Sequence, residues 1–215
     1  MATGVSAHRE LIERALAEGA GLVLVHHGLL WNSAPRRIGA RLAGRLRPLF
    51  AADAGLAAYH LPLDAHPEVG NTALLADALG ATSREPFAVL RGRPIGFIAR
   101  FPGDGILPAE LFDRVRTAVG REPLVFADGP ERVRTLGVVS GAAAGEVETA
   151  ADAGLDAFLT GEPAEHVMAD AREGGLHFIA AGHYATETFG IRRLGDLVAE
   201  RFGVRHVFVD APNPI

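Results

Sequence analysis

An α/β fold of two similar lobes is what this sequence predicts, and three observations carry that expectation. Short apolar runs of strand length alternate with amphipathic helical stretches along the chain, the pattern of strands crossed over by helices. Polar tips follow several of these runs, as in LVLVHHG (residues 22–28) and HFIAAGH (177–183). The chain also repeats itself. An offset of 123 carries His183 and Glu187 onto His60 and Asp64, and Leu197, Val198, Ala199 and Gly203 onto Leu74, Leu75, Ala76 and Gly80. An offset of 135 carries Ala150, Gly154 and Leu159 onto Ala15, Gly19 and Leu24.

In chain order, residues 1–7 hold the end of a short strand, with Ser6 as the predicted N-cap of a helix over 8–19. Residues 22–25 are continuously apolar, as in a parallel strand buried on both faces. They deliver His26-His27-Gly28 at the strand's C-terminal end, where α/β sheets place ligands. Neighbours on a strand point to opposite sides, so both histidines serve one centre only if the backbone turns at Gly28. A loop over 29–35 and a basic helix over 36–49 follow, with Arg37, Arg41 and Arg45 spaced by four. That row reads first as a solvated face and second as a phosphate-steering one. A strand over 56–59 leads to the 60–66 segment, which Pro62 and Pro67 keep out of a regular helix interior, and a helix over 71–79 closes at Gly80.

The middle third says least: a hairpin over 87–100 around Arg91-Gly92-Arg93-Pro94, a helix over 108–119 and a strand over 124–126. The second copy begins at 133, with strand 136–139, a turn over 140–145, helix 146–153 and strand 157–159. Helix 163–173, strand 177–180, the His183–Glu187 segment, helix 191–202 and strand 204–209 complete it. Lobe one therefore covers about 1–84, a connecting region 85–132 and lobe two 133–215 of a single domain.

Composition narrows the chemistry. A net charge of −5 argues against nucleic acid and anionic membranes as partners. No apolar run is long enough to span a bilayer, and the N-terminus has no signal-peptide core; a cytoplasmic location is expected. There is no cysteine, so any metal must be held by histidine and carboxylate.

His183 and Glu187 lie four residues apart, one helical turn, and suit a borderline divalent ion such as zinc, iron or manganese. Two copies facing each other would gather His26, His27, Asp64, His183 and Glu187 into one metal site between the lobes. Three imidazoles and two carboxylates exceed one tetrahedral ion and suit two ions about 3.5–4 Å apart with an activated water. His60 and Glu162 are candidates to orient those ligands or move protons, against an equally open reading as structural hydrogen bonders. His66 fits either role; His8, His166, His177 and His206 read as structural. The 140–145 turn lacks the lysine and spacing of a phosphate loop, and Ser140 and Ser33 lack a nucleophile-elbow signature.

At these residues the chain resembles the Nif-three-like dinuclear-metal family, the GTP cyclohydrolase 1 type 2 homologues. The matching stretches are TGVSA (3–7), VHHGLLW (25–31), YHLPLDAHPEVGN (59–71), TGE (160–162), AAGHYATE (180–187) and VFVDAPNP (207–214). The resemblance implies that His26, His27, Asp64, His183 and Glu187 hold two divalent metal ions per chain, and that the protein forms a homohexamer. With no long insert between the halves, the chain is similar to the short bacterial type; family members usually carry several tens of residues ahead of the TGVSA-like stretch, a segment this sequence lacks. The expected activity is metal-dependent hydrolysis of a small nucleotide or phosphoester-type substrate. The alternative is a metal-handling or regulatory binding protein without turnover, and a scaffold without metal is the third reading.

Overall fold

The computed structural model describes residues 1–33 and 37–215. The elements, in order, are β1 (Ala2–Ser6), α1 (Arg9–Ala17), β2 (Leu22–His27), α2 (Ala40–Ala51), β3 (Gly55–Ala58), α3 (Leu61–Asp64), α4 (Asn71–Ala78), β4 (Ser83–Leu90), β5 (Arg93–Arg100) and α5 (Pro108–Val119). They continue with β6 (Leu124–Ala127), β7 (Thr135–Val138), a 3-10 turn (Ala144–Glu146), α6 (Val147–Asp152), β8 (Ala157–Thr160), α7 (Val167–Gly174), β9 (His177–Ala180), α8 (His183–Thr186), α9 (Thr188–Phe202) and β10 (Val207–Phe208). The chain divides into two compact units.

The first unit joins Met1–Leu63 to Gly190–Pro212. Its sheet has the order β10-β1-β2-β3, with every pair parallel. Leu11, Ile12 and Ala15 form the apolar stripe of α1 and pack with Val23 and Val25 of β2, Leu49 of α2 and Val209. The cap of α1 is His8, whose Nδ1 accepts the Leu11 N–H at 3.2 Å, and not the expected Ser6. Ser6 is still inside β1 and directs its hydroxyl across the sheet. The predicted loop over 29–35 and helix from 36 reach into residues 34–36, which lie outside the described residues. Arg37 precedes α2, leaving only Arg41 and Arg45 of the expected arginine row on the helix. Pro62 is the second residue of the four-residue α3, outside any helix interior, where a missing N–H leaves no intrahelical bond unmade.

The second unit, Asp64–Phe189 with Asn213–Ile215, is built on a sheet of order β4-β5-β7-β8-β9-β6. β7, β8 and β9 run parallel, and β4, β5 and β6 extend them antiparallel on either side. The sequence-poor middle third thus supplies the flanks of the sheet. Arg91 and Gly92 turn the β4–β5 hairpin with φ of 52° and 77°, the two left-handed residues of a type I′ turn. Both sheet faces are covered. Leu136, Val138, Leu159 and Ile179 meet Leu75 and Leu79 of α4 and Leu111 and Val115 of α5. The intervening Phe158, Phe178 and Ala180 meet Val147 and Ala150 of α6 and Val167 and Ala171 of α7. Alternation along β8 and β9 assigns each side chain to one face or the other.

The predicted repetition has a counterpart in the connectivity. β1-α1-β2-α2-β3-α3 in the first copy and β7-α6-β8-α7-β9-α8 in the second each give three neighbouring parallel strands, then one helical turn that starts at or just after His60 or His183. Among the described residues no helix is long and apolar enough to cross a membrane.

Close packing of α1 on β1 depends on Gly4. A Cβ there would collide with Leu11 Cδ1 and stand 3.3 Å from the Val209 carbonyl oxygen. Gly4→Ala is expected to destabilise the fold, and Leu11→Ala to cost about 2–5 kcal/mol. The double variant will fall short of the sum by roughly 1 kcal/mol or more, because each change relieves the other. Urea unfolding of the four proteins checks this.

Candidate metal centre

Each unit carries a set of metal-type donors. In the first, the parallel register of β1 and β2 sets Ser6 opposite His27 at the C-terminal end of the strand pair. Ser6 Oγ lies 2.9 Å from His27 Nδ1. His26, fully buried, donates from Nδ1 to the Tyr59 carbonyl at 2.8 Å. A carbonyl only accepts, so the proton of neutral His26 sits on Nδ1 and its lone pair on Nε2. His60 follows β3, its ring 5.0 Å from His26 and 5.2 Å from His27, while those two rings are 4.7 Å apart. One nitrogen from each of the three lies within 4.8 Å of the others.

Gly28 directly follows β2, and its φ is not positive. Its contribution is close approach: a Cβ there would stand 2.8 Å from Ala58 Cβ and push β3, and with it His60, away.

The second unit holds the carboxylates. Asp64, buried at the end of α3, accepts at Oδ1 from Asn71 Nδ2 at 2.8 Å and from Ser140 Oγ at 3.3 Å. Thr72 Oγ1 lies 3.2 Å from that serine hydroxyl. His183 opens α8 and Glu187 follows it, so the spacing of four brings Nε2 to 3.1 Å from the buried Glu187 Oε2. His183 Nδ1 donates to Glu162 Oε1. Two carboxylates on one imidazole favour the imidazolium: the hydrogen bond to Glu187 raises the His183 pKa to about 9 against the opposing effect of burial, with Glu162 adding to the rise.

Gly141 is the hinge of this second set. Its φ is +70°, a Cβ would strike Glu187 Oε1 and lie 3.4 Å from His183 Nε2, and its N–H donates to Thr186 Oγ1 at 3.1 Å. Its carbonyl accepts from the Gly161 N–H at 2.8 Å and the Thr160 hydroxyl at 3.0 Å, anchoring the segment that carries Glu162. The amides of Ser140, Gly141 and Ala143 are already engaged by Thr72, Thr186 and Thr160 hydroxyls.

The remaining histidines have local duties. His66 Nδ1 accepts the Glu68 and Val69 amides, both at 3.2 Å. His177 bonds Gly129 and Pro130, His206 bonds Thr3 and Asp196, and His166 bonds Asp170. Arg41 is exposed and Arg45 half-buried on α2. Sequence reasoning offered His60 as a supporting residue, and the structure groups its ring with those of His26 and His27 as a set that could hold a metal ion. The signal was present, because the same offset that matches Asp64 to Glu187 matches His60 to His183. Ser6, Asn71 and Ser140 were missed as orienting groups, since they become neighbours of the candidate donors only through sheet register and packing.

A repeated α/β frame that ends its strands in histidine and carboxylate donors defines a class of protein with metal-binding potential. The chain belongs to the Duf34/NIF3 (NGG1p interacting factor 3) family, whose model matches residues 1–214. It is 42% identical over 212 residues to a GTP cyclohydrolase 1 type 2 homolog of Pseudomonas aeruginosa, covering 99% of this chain and 83% of that protein. It is 42% identical over 213 residues to a protein of the same name from Escherichia coli K12, with 99% and 84% covered. Among solved structures it is similar to protein ybgI, of unknown function, with a TM-score of 0.92, 39% identity and coverage of 100% and 85%. TTHA1606 of Thermus thermophilus gives 0.87, 37%, 100% and 84%.

Two expectations follow. Because Nδ1 of His27 is held by Ser6, Ser6→Ala will cost about 0.5–1.5 kcal/mol of stability and weaken any zinc uptake at His27 about 10–100-fold, the size typical of losing an orienting hydrogen bond; urea unfolding and competition with a chelating dye measure the two effects. In metal-free protein, His183 has its folded pKa raised from 6.5 to about 9. Its contribution to stability is therefore fully present below 6.5 and is lost as pH rises through about 9. Urea midpoints of chelator-treated wild type should fall across that window, and Glu187→Gln should flatten the fall.

Proposed function

We propose that this protein binds two divalent metal ions through His26, His27, Asp64, His183 and Glu187, and uses them to hydrolyse a nucleotide or phosphoester-type small molecule. The observation that carries the reading is the chemistry of the donors. Buried or half-buried imidazoles and carboxylates, each oriented by a second protein group, are what hard-to-borderline cations require. His26 is fixed by the Tyr59 carbonyl, His27 by Ser6, Asp64 by Asn71 and Ser140, and His183 by Glu162. The donor set fits zinc, iron or manganese and, without thiolates, does not select among them. His60 is proposed as an additional donor or proton carrier on the imidazole side.

Bound divalent ions would supply Lewis acidity and lower the pKa of water toward neutrality. The chain's part is positional. Ser6 and the Tyr59 carbonyl hold the Nδ1 sides of His27 and His26, which turns Nε2 of each toward a ligand. Glu162 accepts the His183 Nδ1 proton in a hydrogen bond, so that His183 would offer Nε2 to an ion once the Nε2 proton is released to solvent. A carboxylate so placed can also take up or return a proton during turnover. The homohexamer implied by the family resemblance and the cytoplasmic location expected from the sequence belong to the same proposal, which requires neither membrane nor nucleic acid.

Elemental analysis of protein purified without chelator tests it. About two ions per chain in wild type, mostly lost in Glu187→Ala, together with metal-dependent release of phosphate or ring-opened product from a nucleotide panel, is the expected outcome. Metal that binds and exchanges readily without any turnover would instead mark a metal-handling protein. A wild type that takes up no zinc, manganese or iron would sink the reading, and histidine variants would then alter stability alone.

A further inference from the structure

We infer that Trp31 is the wall of a ligand subsite for a planar heteroaromatic ring, beside the His26–His27–His60 cluster. The inference rests on the proposed hydrolase reading for the chemistry that follows binding, but not for binding itself. Trp31 follows the HHG tip of β2 by three residues, and its indole N–H donates back to the Gly28 carbonyl at 3.0 Å. That bond fixes the rotation of the ring and uses its only polar atom. The ring centroid lies 5.1 Å from His60, nearly perpendicular at 80°, and 5.9 Å from His27 at 49°.

Despite those contacts Trp31 remains 43% exposed, and Leu30 and Tyr59, which precede Trp31 and His60 in the chain, are 83% and 52% exposed. A tryptophan ordinarily buries most of its large apolar area. Here an oriented aromatic surface is held in solvent with its hydrogen-bonding need already met, so what it offers a ligand is stacking. Its distance from two imidazoles means that a ring resting on the indole brings its own ring nitrogens or exocyclic oxygens next to nitrogens able to bind metal. A nucleobase or a related fused heterocycle meets both demands, an apolar face with a polar rim. An aliphatic phosphoester meets only the second.

Trp31 is the single tryptophan of the chain, so its emission reports this ring alone. The full chain, loaded with zinc, is titrated with guanosine, which has no phosphate to reach a metal, and with ribose 5-phosphate, which has no base. Saturable quenching by guanosine and none by ribose 5-phosphate is the expected result. By calorimetry, Trp31→Phe should keep guanosine affinity to within about threefold while Trp31→Ala loses about tenfold or more, the range of one base–aromatic stack. Zinc content should be equal in all three proteins.

Guanosine binding as tight in Trp31→Ala as in wild type would overturn the inference. So would the absence of saturable quenching by guanosine, adenosine and cytidine at millimolar concentration, or an emission maximum that shifts with protein concentration alone, which would put a second copy of the chain on the ring. The two readings fail separately. Trp31-dependent binding without turnover leaves the subsite standing and removes the hydrolase, whereas turnover with a KM indifferent to Trp31→Ala does the reverse.

Discussion

Imidazoles and carboxylates taken out of water must be met by other polar groups, and that requirement shapes both units of this protein. His26 is fully buried, and Asp64 and Glu187 are nearly so. Left unpaired, each would carry a desolvation penalty of several kcal/mol. Here the partners are a backbone carbonyl and two short hydroxyl side chains at the ends of strands, with one amide that opens α4: Tyr59 O for His26, Ser6 for His27, Asn71 and Ser140 for Asp64. The same bonds that lower the energy of burial also fix orientation. Stability and readiness to bind a cation therefore share one set of contacts.

The carboxylate side shows how few backbone positions this needs. Gly141 adopts a left-handed φ, leaves room for Glu187 where a side chain would collide, and bonds both the Thr186 hydroxyl and the Thr160–Gly161 segment. Glu162 follows directly and reaches His183. One glycine thus ties the end of β7 to the ends of β8 and β9. Parallel neighbours deliver their C-terminal ends to the same edge of a sheet, where ligands gather in α/β folds. β1, β2 and β3 do the same for Ser6, His26-His27 and His60 in the first unit.

Metal-type donors so arranged still do not define a substrate, because one fold and one ligand set serve many reactions. The features that would choose among substrates lie in what surrounds the donors. Trp31 is the clearest of these, an oriented ring at the rim of the histidine cluster whose exposure has no use in the packing of its own unit. A stacking wall sets the class of ring admitted, while donor chemistry sets what is done to it.

Much of this was legible in the residues themselves. Apolar runs located β2, β8 and β9, helical periodicity located α1 and α5, and the offset of 123 paired His60-Asp64 with His183-Glu187. Those readings succeed because periodicity and spacing are local properties, set by the pitch of a helix and the alternation of a strand. Ser6 looked like a helix cap, and the grouping of His60 with His26 and His27 was not apparent, because both depend on non-local neighbours. Strand register put Ser6 opposite His27, and the close approach of Ala58 to Gly28 set His60 beside two other imidazoles. The sequence by itself determined the α/β alternation, the repeat and the kinds of donor atom available. Tertiary structure alone decided which nitrogen of each histidine faces a partner and which hydroxyls hold the ligands, since those follow from register and packing between segments that lie far apart in the chain.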